Sequence, residues 1–128
     1  MASTKRAKIR NKVVPQEKVN AGSRWWIDSD FGQSASSKDT IEGLTDFDYG
    51  LKDSIFDGLT FDFPTGLKFI YIKCKDVQSG TVSLSFDGTD NTVIRLDIGE
   101  GFAARLDPTA QIRLVMSGES GIEYLTGI

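Results

Sequence analysis

The chain of 128 residues is long enough for one globular domain but too short for two independent cores. It contains 13 Gly but only 3 Pro, and its apolar residues are mainly Ile, Leu, Val and Phe in short runs, a mixture that favours strands and tight turns over helices. The single Cys and the absence of His exclude an intrachain disulfide, a zinc site of the His/Cys kind and any catalytic arrangement that needs a histidine.

The net charge of −3 conceals a strong asymmetry along the chain. Residues 1–24 carry seven basic side chains and one acid, a balance of +6, whereas residues 25–128 carry 8 basic and 17 acidic side chains, a balance of −9. No apolar run approaches the ~20 residues of a membrane helix, and the N-terminus lacks the apolar stretch of a signal peptide. The sequence therefore predicts a soluble protein with no membrane partner, in which a basic arm precedes an acidic body.

Residues 1–22 are predicted to form an extended N-terminal arm that is mobile or ordered by a partner, because they have few large apolar side chains and no helical stripe. Three interpretations stay open: a solvated tail, a strand that docks on an acidic protein surface, and a segment that contacts nucleic acid phosphates. No aromatic residue interleaves the basic ones, so base stacking has no support and nucleic acid is not the favoured partner. The candidate partner-binding residues of the arm are Lys5, Arg6, Lys8, Arg10 and Lys12.

Two adjacent tryptophans lie near the start of the second predicted unit, residues 23–128. Trp25 and Trp26 point to opposite faces if this stretch is a strand, so one of them faces outward. An outward Trp is a typical anchor of a protein interface. Cover by a loop or by the arm of the same chain is the alternative. Both tryptophans are therefore candidate partner-binding residues.

Residues 41–66 combine acids with aromatic residues and predict short strands broken by glycines. A loose Ca²⁺ site built from their carboxylates is one hypothesis, although the spacing of the acids departs from the EF-hand motif, and no metal or cofactor is assigned. A tyrosine here, Tyr49, and the two tryptophans also offer stacking surfaces for a sugar, with core or subunit contact as the alternative. The four acids of the calcium hypothesis are Asp46, Asp48, Asp53 and Asp57.

Six apolar runs with a period of two follow Pro64 and predict antiparallel strands. Their core faces need a partner sheet, which residues 23–63 are expected to supply. The fold class is therefore all-β, an antiparallel β-sandwich of the jelly-roll kind with an extended N-terminal arm. The residues expected on the core face include Ile70, Ile72, Cys74, Val82, Leu84, Ile94, Leu96, Ile98, Ile112, Leu114, Met116 and Ile122.

The acidic stretch DGTDN at residues 87–91 is predicted to be a turn that fixes strand register rather than a binding site. Asp87-Gly88 is the dipeptide that supplies positive φ in a hairpin, and the side chains of Asp90 and Asn91 are expected to cap their own backbone. Asp97 and Glu100 flank a later turn and are interpreted as turn residues rather than as a glycosidase pair. From the sequence, the protein is not expected to be an enzyme.

The C-terminal half, residues 67–128, resembles small structural proteins of tailed bacteriophage virions. The likeness rests on a strand that ends in IKC, an SFDG turn, a GEG turn before an aromatic residue and a closing EYL. Here Lys73-Cys74-Lys75 stands where an amide would be expected after Ile72.

The resemblance implies a virion component, most plausibly a cement or decoration protein on the capsid surface that is made in the host cytoplasm. The implied partners are the major capsid protein or other virion proteins, together with further copies of the chain, for which a trimer is one arrangement. A head-tail adaptor or tail component and a host-glycan-binding module are the alternatives.

Overall fold

The computed structural model describes residues 5–10, 12–13, 16–17, 26–27, 31–32, 40–54, 59–75 and 80–128, which form strands and no helix. Among these residues there is accordingly no helix long and apolar enough to span a membrane. The strands are β1 (Lys5–Lys8), β2 (Lys12–Val13), β3 (Gln16–Glu17), β4 (Trp26–Ile27), β5 (Phe31–Gly32), β6 (Thr40–Leu44), β7 (Phe47–Ser54), β8 (Leu59–Asp62), β9 (Phe69–Cys74), β10 (Thr81–Ser85), β11 (Ile94–Leu96), β12 (Gly101–Arg105), β13 (Arg113–Ser117) and β14 (Ser120–Gly127).

Strands β7 to β14 form a jelly roll, as the sequence predicted. One antiparallel sheet has the strand order β7-β14-β9-β12 and is called here the tyrosine sheet; the other has the order β8-β13-β10-β11 and is called the serine sheet. Eight strands that cross between two sheets in this order are the arrangement of a double Greek key.

The core lies between the two sheets and is built from alternate residues of each strand. Ile70, Ile72 and Cys74 of β9 are fully buried, as are Val82 and Leu84 of β10. The predicted register between β10 and β11 is confirmed, because Val82 lies opposite Leu96 and Leu84 opposite Ile94. The other core residues of the sandwich are Phe63, Leu67, Ile112, Leu114, Met116 and Ile122.

Two expectations about the sandwich are wrong. Residues 23–63 do not supply a whole partner sheet; β7 and β8 instead form one edge strand of each sheet. Ile98 does not face the core and is 45% exposed, because β11 ends at Leu96 and the chain turns. Glu100 accepts a hydrogen bond from the backbone N–H of Asp97 at 2.7 Å, and Gly99 adopts a φ of +82°, which closes that turn.

The N-terminal strands pair with other strands of the same chain. β1 pairs with β6, β2 with β5 and β3 with β4, all antiparallel and in nested order, as in a long two-stranded ribbon. The expected mobile or partner-ordered arm is therefore ordered by its own chain at these residues. The predicted domain boundary after residue 22 lies outside the described residues.

The base of this ribbon is attached to the tyrosine sheet by a second, small core. Ile41, Leu44 and Phe69 are each no more than 5% exposed, and Ala7, Ile9 and Leu125 pack against them. The Phe69 ring also lies directly over Gly127 on the neighbouring strand, where a side chain would collide with it. β1 thus buries one face against the sandwich.

Candidate functional site

The exposed face of β1 and the two residues after it is basic. Arg6, Lys8 and Arg10 are exposed and alternate with Ala7 and Ile9, which turn toward the small core. Three residues with a period of two lie on one face of a strand, and the outer two are about 13 Å apart along it. We call Arg6, Lys8 and Arg10 the basic ridge.

Side-chain contacts to the backbone of β6 hold the base of the ribbon in place. Lys68 Nζ donates a hydrogen bond to the Gly43 carbonyl oxygen at 2.9 Å, and Arg105 Nη2 donates one to the Thr40 carbonyl oxygen at 3.1 Å. Both cations come from the sandwich. The ridge is therefore presented on a strand whose position the sandwich determines, not on a free tail.

The other predicted partner-binding residues do not belong to the ridge or are not described by the structure. Lys5 is half-buried at the start of β1, so it does not belong to the ridge. Lys12 lies in β2 and Trp26 in β4, both within the ribbon. Trp25 is outside the residues that the structure describes.

The outer face of the tyrosine sheet carries exposed aromatic and aliphatic side chains that sequence reasoning did not group together. Phe47, Tyr49 and Leu51 of β7 are 39%, 60% and 56% exposed. The β7–β14–β9 register aligns Tyr49 with Leu125 and Tyr71 across the sheet. The period-two pattern of β7 was a signal for this face, but one strand does not reveal its neighbours.

A carboxylate organises the two tyrosines of this face. The hydroxyl of Tyr49 donates to Glu123 Oε2 at 2.9 Å, and that of Tyr71 donates to Oε1 at 3.1 Å. The hydrogen bond to Glu123 raises the pKa of Tyr49, whereas burial is the main cause of the raised pKa of Tyr71, with Glu123 adding to it. Both phenols therefore stay protonated, and Glu123 fixes their ring positions.

The outer face of the serine sheet is mainly polar by contrast. Thr60, Val115, Ser83 and Arg95 lie in one row across it, because they oppose one another in the registers of β8, β13, β10 and β11. Such a face is typical of a solvated side of an antiparallel sheet. The two sheets of the sandwich therefore differ, and the exposed apolar residues of β7 lie on the tyrosine sheet.

The DGTDN stretch is a turn, with its capping roles distributed differently from the prediction. Gly88 has the expected positive φ, +75°, and Asp87 Oδ1 accepts hydrogen bonds from the N–H and the hydroxyl of Thr89. These bonds lower the pKa of Asp87. Asp90 does not cap its own backbone; its carboxylate accepts a hydrogen bond from Arg113 at 3.0 Å.

A cleft of about 230 Å³ lies beside this turn, but its cation is already paired. Arg113 forms a two-pronged ion pair with Asp62, with N–O distances of 2.8 and 3.2 Å, in addition to its bond to Asp90. The guanidinium lowers the pKa of Asp62. The cleft lining consists of Asp62, Phe63, Thr65, Gly88, Gln111, Ile112 and Arg113.

The described acids of the calcium hypothesis do not converge on one point. Asp48 and Asp53 are an odd number of residues apart on β7 and so lie on opposite faces, and Asp53 pairs with Lys75 at 2.9 Å. Asp46 accepts a hydrogen bond from the backbone N–H of Phe47. Asp57 is outside the described part of the chain, within which no cluster of potential metal ligands occurs.

Cys74 occupies the core position that its sequence pattern predicted. Its side chain is fully buried, and burial raises the pKa of the thiol, with the carboxylates of Asp97 and Glu100 adding to the shift. A protonated, inaccessible thiol is a poor nucleophile.

Comparison of the chain with protein-family models, with curated proteins and with solved structures finds no match in any of the three.

Proposed function

We propose that the chain is a non-enzymatic structural protein of a tailed-bacteriophage virion, a cement or decoration protein that binds and stabilises the outer capsid. The resemblance of residues 67–128 to small virion proteins motivates the class of function. The jelly roll is compatible with it, since this fold occurs in viral capsid proteins, but also in lectins and many other proteins. The observation that carries the proposal is the basic ridge, which is displayed on a strand that packs on the sandwich.

The ridge suits an acidic protein surface. The exposed cations Arg6 and Lys8 can complement carboxylates of a capsid subunit, which guides docking and fixes its orientation. Because the sandwich already orders the strand below the ridge, less conformational entropy is lost on binding than for a flexible tail. The second contact is supplied by the sandwich body, and two linked contacts that bridge neighbouring subunits bind more tightly than either alone.

A charge reversal on the ridge tests the proposal. Arg6→Glu should weaken binding to purified capsids that lack this protein by about tenfold, as expected for the loss and reversal of one charge in a complementary interface. The control is Arg95→Glu, which makes the same change on the exposed outer face of the serine sheet. Equal capsid binding by both variants and the unchanged protein would show that the ridge does not bind the capsid. If none of the three proteins binds capsids, the cement role is contradicted.

Glycan binding is a second candidate, favoured by the exposed ring of Tyr49. Its hydroxyl is held by Glu123, so the ring has a fixed position on the sheet face, as stacking on a sugar requires. We expect Tyr49→Ala to abolish a signal on a glycan array if this is the function, while the thermal unfolding midpoint changes little. An array without any signal would leave the virion proposal as the better one.

A further inference from the structure

β7 is the long exposed edge of the sandwich. It has 8 residues, whereas the edge strands β8, β11 and β12 have 4, 3 and 5. Within the described residues no strand pairs with the second side of β7. A long edge strand with apolar residues on its outer face is a template for pairing with another strand, which natural proteins leave open mainly where they use it.

The sequence of β7 complements itself. An antiparallel pair of two β7 strands centred on Gly50 places Tyr49 opposite Leu51 of the second copy, and Asp48 opposite Lys52. The two-fold axis repeats each of these pairs. The Tyr49–Leu51 pairs then lie on the outer face of the joined sheets, with Phe47 opposite Asp53 beyond them, and the Asp48–Lys52 pairs lie on the other face. Aromatic–aliphatic and opposite-charge pairs across strands are both favourable.

Other registers are worse. A shift of one residue would put the outer face of one sheet against the inner face of the other. A shift of two residues in either direction places Gly50 opposite Asp48 or Lys52, so the Asp48–Lys52 pairs are lost. The first of these shifts places Lys52 opposite Asp46 instead, but Asp46 lies before β7 and only residues 47–51 of the strand then pair. The centre at Gly50 is thus the register that pairs residues 47–53 of both copies and keeps both the Asp48–Lys52 and the Tyr49–Leu51 pairs.

We propose that β7 is a self-association edge, through which two copies of this chain join their tyrosine sheets into one eight-stranded sheet. The joined outer face would present Tyr49 and Leu51 of both copies side by side, with a Phe47–Asp53 pair at each end. The pairing does not rest on the virion role: it follows from β7 alone, and its failure would leave the capsid-binding experiment unaffected.

The test is the mass of the full-length chain in solution, measured by sedimentation velocity over a range of concentrations. The expected species has twice the 14.1 kDa mass of one chain. Asp48→Lys and Leu51→Lys, both at exposed positions, should each raise the dissociation constant by about tenfold, because each places two mismatched pairs in register. The double exchange variant Asp48→Lys with Lys52→Asp should bring the dissociation constant back to that of the unchanged protein. The control Arg95→Glu should leave the dissociation constant unchanged.

Lys52 Nζ also lies 4.4 Å from the centre of the Phe61 ring, so the exchange variant has to be checked for folding by thermal denaturation. If it does not fold, amide hydrogen exchange of the unchanged protein decides: protection of β7 that increases with protein concentration supports the pairing. The proposal would be overturned by a single-chain mass at every concentration, or by a larger assembly that Asp48→Lys and Leu51→Lys leave intact. It would equally be overturned by an exchange variant that folds but stays dissociated, or by hydrogen exchange of β7 that does not depend on protein concentration.

Discussion

Two serines are buried in the sandwich, and they differ in one respect that predicts opposite effects of mutation. The hydroxyl of Ser85 donates a hydrogen bond to the Thr89 carbonyl oxygen, whereas that of Ser120 has no partner among the described residues. Both side chains are at most 1% exposed. A buried polar group without a partner costs about 1–3 kcal/mol, whereas a satisfied one contributes about 1 kcal/mol.

We therefore expect Ser120→Ala to raise the free energy of unfolding by about 1 kcal/mol, because the substitution removes an unpaired hydroxyl. Ser85→Ala, the matched change at a paired serine, should lower it by about the same amount. Urea denaturation followed by far-ultraviolet circular dichroism, which reports the strands of the sandwich, measures both. A loss of stability in Ser120→Ala as large as that in Ser85→Ala would show that the Ser120 hydroxyl has a partner after all.

At the scale of single elements, β1 packs one face on the small core and carries the proposed binding residues on the other. Deleting residues 1–10 should expose Ile41, Leu44 and Phe69 to water, so we expect a lower thermal midpoint and increased binding of a hydrophobic dye. Arg6→Glu, on the opposite face, should leave the midpoint unchanged. A deletion variant as stable as the full chain would mean that the small core does not contribute to stability.

The strands after Pro64 could be predicted from the sequence, and so could their core faces. Their apolar residues alternate with polar ones over five or six positions, and a period of two identifies a half-buried strand regardless of its partners. The turn at Gly88 could be predicted for a similar local reason, since Asp-Gly tolerates positive φ. The buried faces of β9, β10 and β13 accordingly match the prediction.

The assignment of strands to sheets could not be predicted, because alternation says which residues share a face but not which sheet the strand joins. This is why β7 and β8 were expected in one sheet and lie in two. The prediction that Ile98 faces the core was wrong for another reason. The apolar alternation of the sequence continues past Leu96, but the hydrogen bond to the Glu100 side chain and the positive φ of Gly99 end the strand first. The pairing of β1 with β6 was missed although Arg6 to Arg10 alternate with apolar residues, because the basic residues suggested an arm that is mobile or ordered by a partner.

Across the whole molecule, several carboxylates stabilise the fold in their ionised form. Asp87 and Asp107 each accept two hydrogen bonds from the threonine two residues later, and Asp62 accepts two from Arg113. The pKa of each of the three is lowered. A carboxylate with a lower pKa in the folded state adds stability above its unfolded pKa of about 4, and this stability is lost as the pH falls.

The thermal midpoint should therefore be nearly constant from neutral pH down to about 5 and should fall below about 4. In Asp107→Asn the amide oxygen can still accept from Thr109 but does not titrate, so we expect a lower midpoint at neutral pH and a shallower fall in acid. Calorimetry of both proteins between pH 2 and 7 measures this. Parallel pH profiles for the two proteins would show that Asp107 does not contribute to acid unfolding.

At the scale of the whole molecule, the two outer faces of the sandwich differ in polarity and in what covers them. The serine sheet is mainly polar, the tyrosine sheet is partly covered by the ribbon base and exposes apolar residues along β7, and the basic ridge lies beside that covered region. Contacts to partners are therefore expected on the tyrosine-sheet side of the molecule. A cement protein would use this side to hold neighbouring capsid subunits.

The copy number of the protein in purified virus particles tests the central proposal most directly. Quantitative mass spectrometry against the major capsid protein should give a number on the order of hundreds, since a shell repeats its subunit sites by symmetry. Labelling by electron microscopy should place those copies on the outer capsid surface. A few copies confined to the tail axis, or no copies in washed particles, would contradict the cement role.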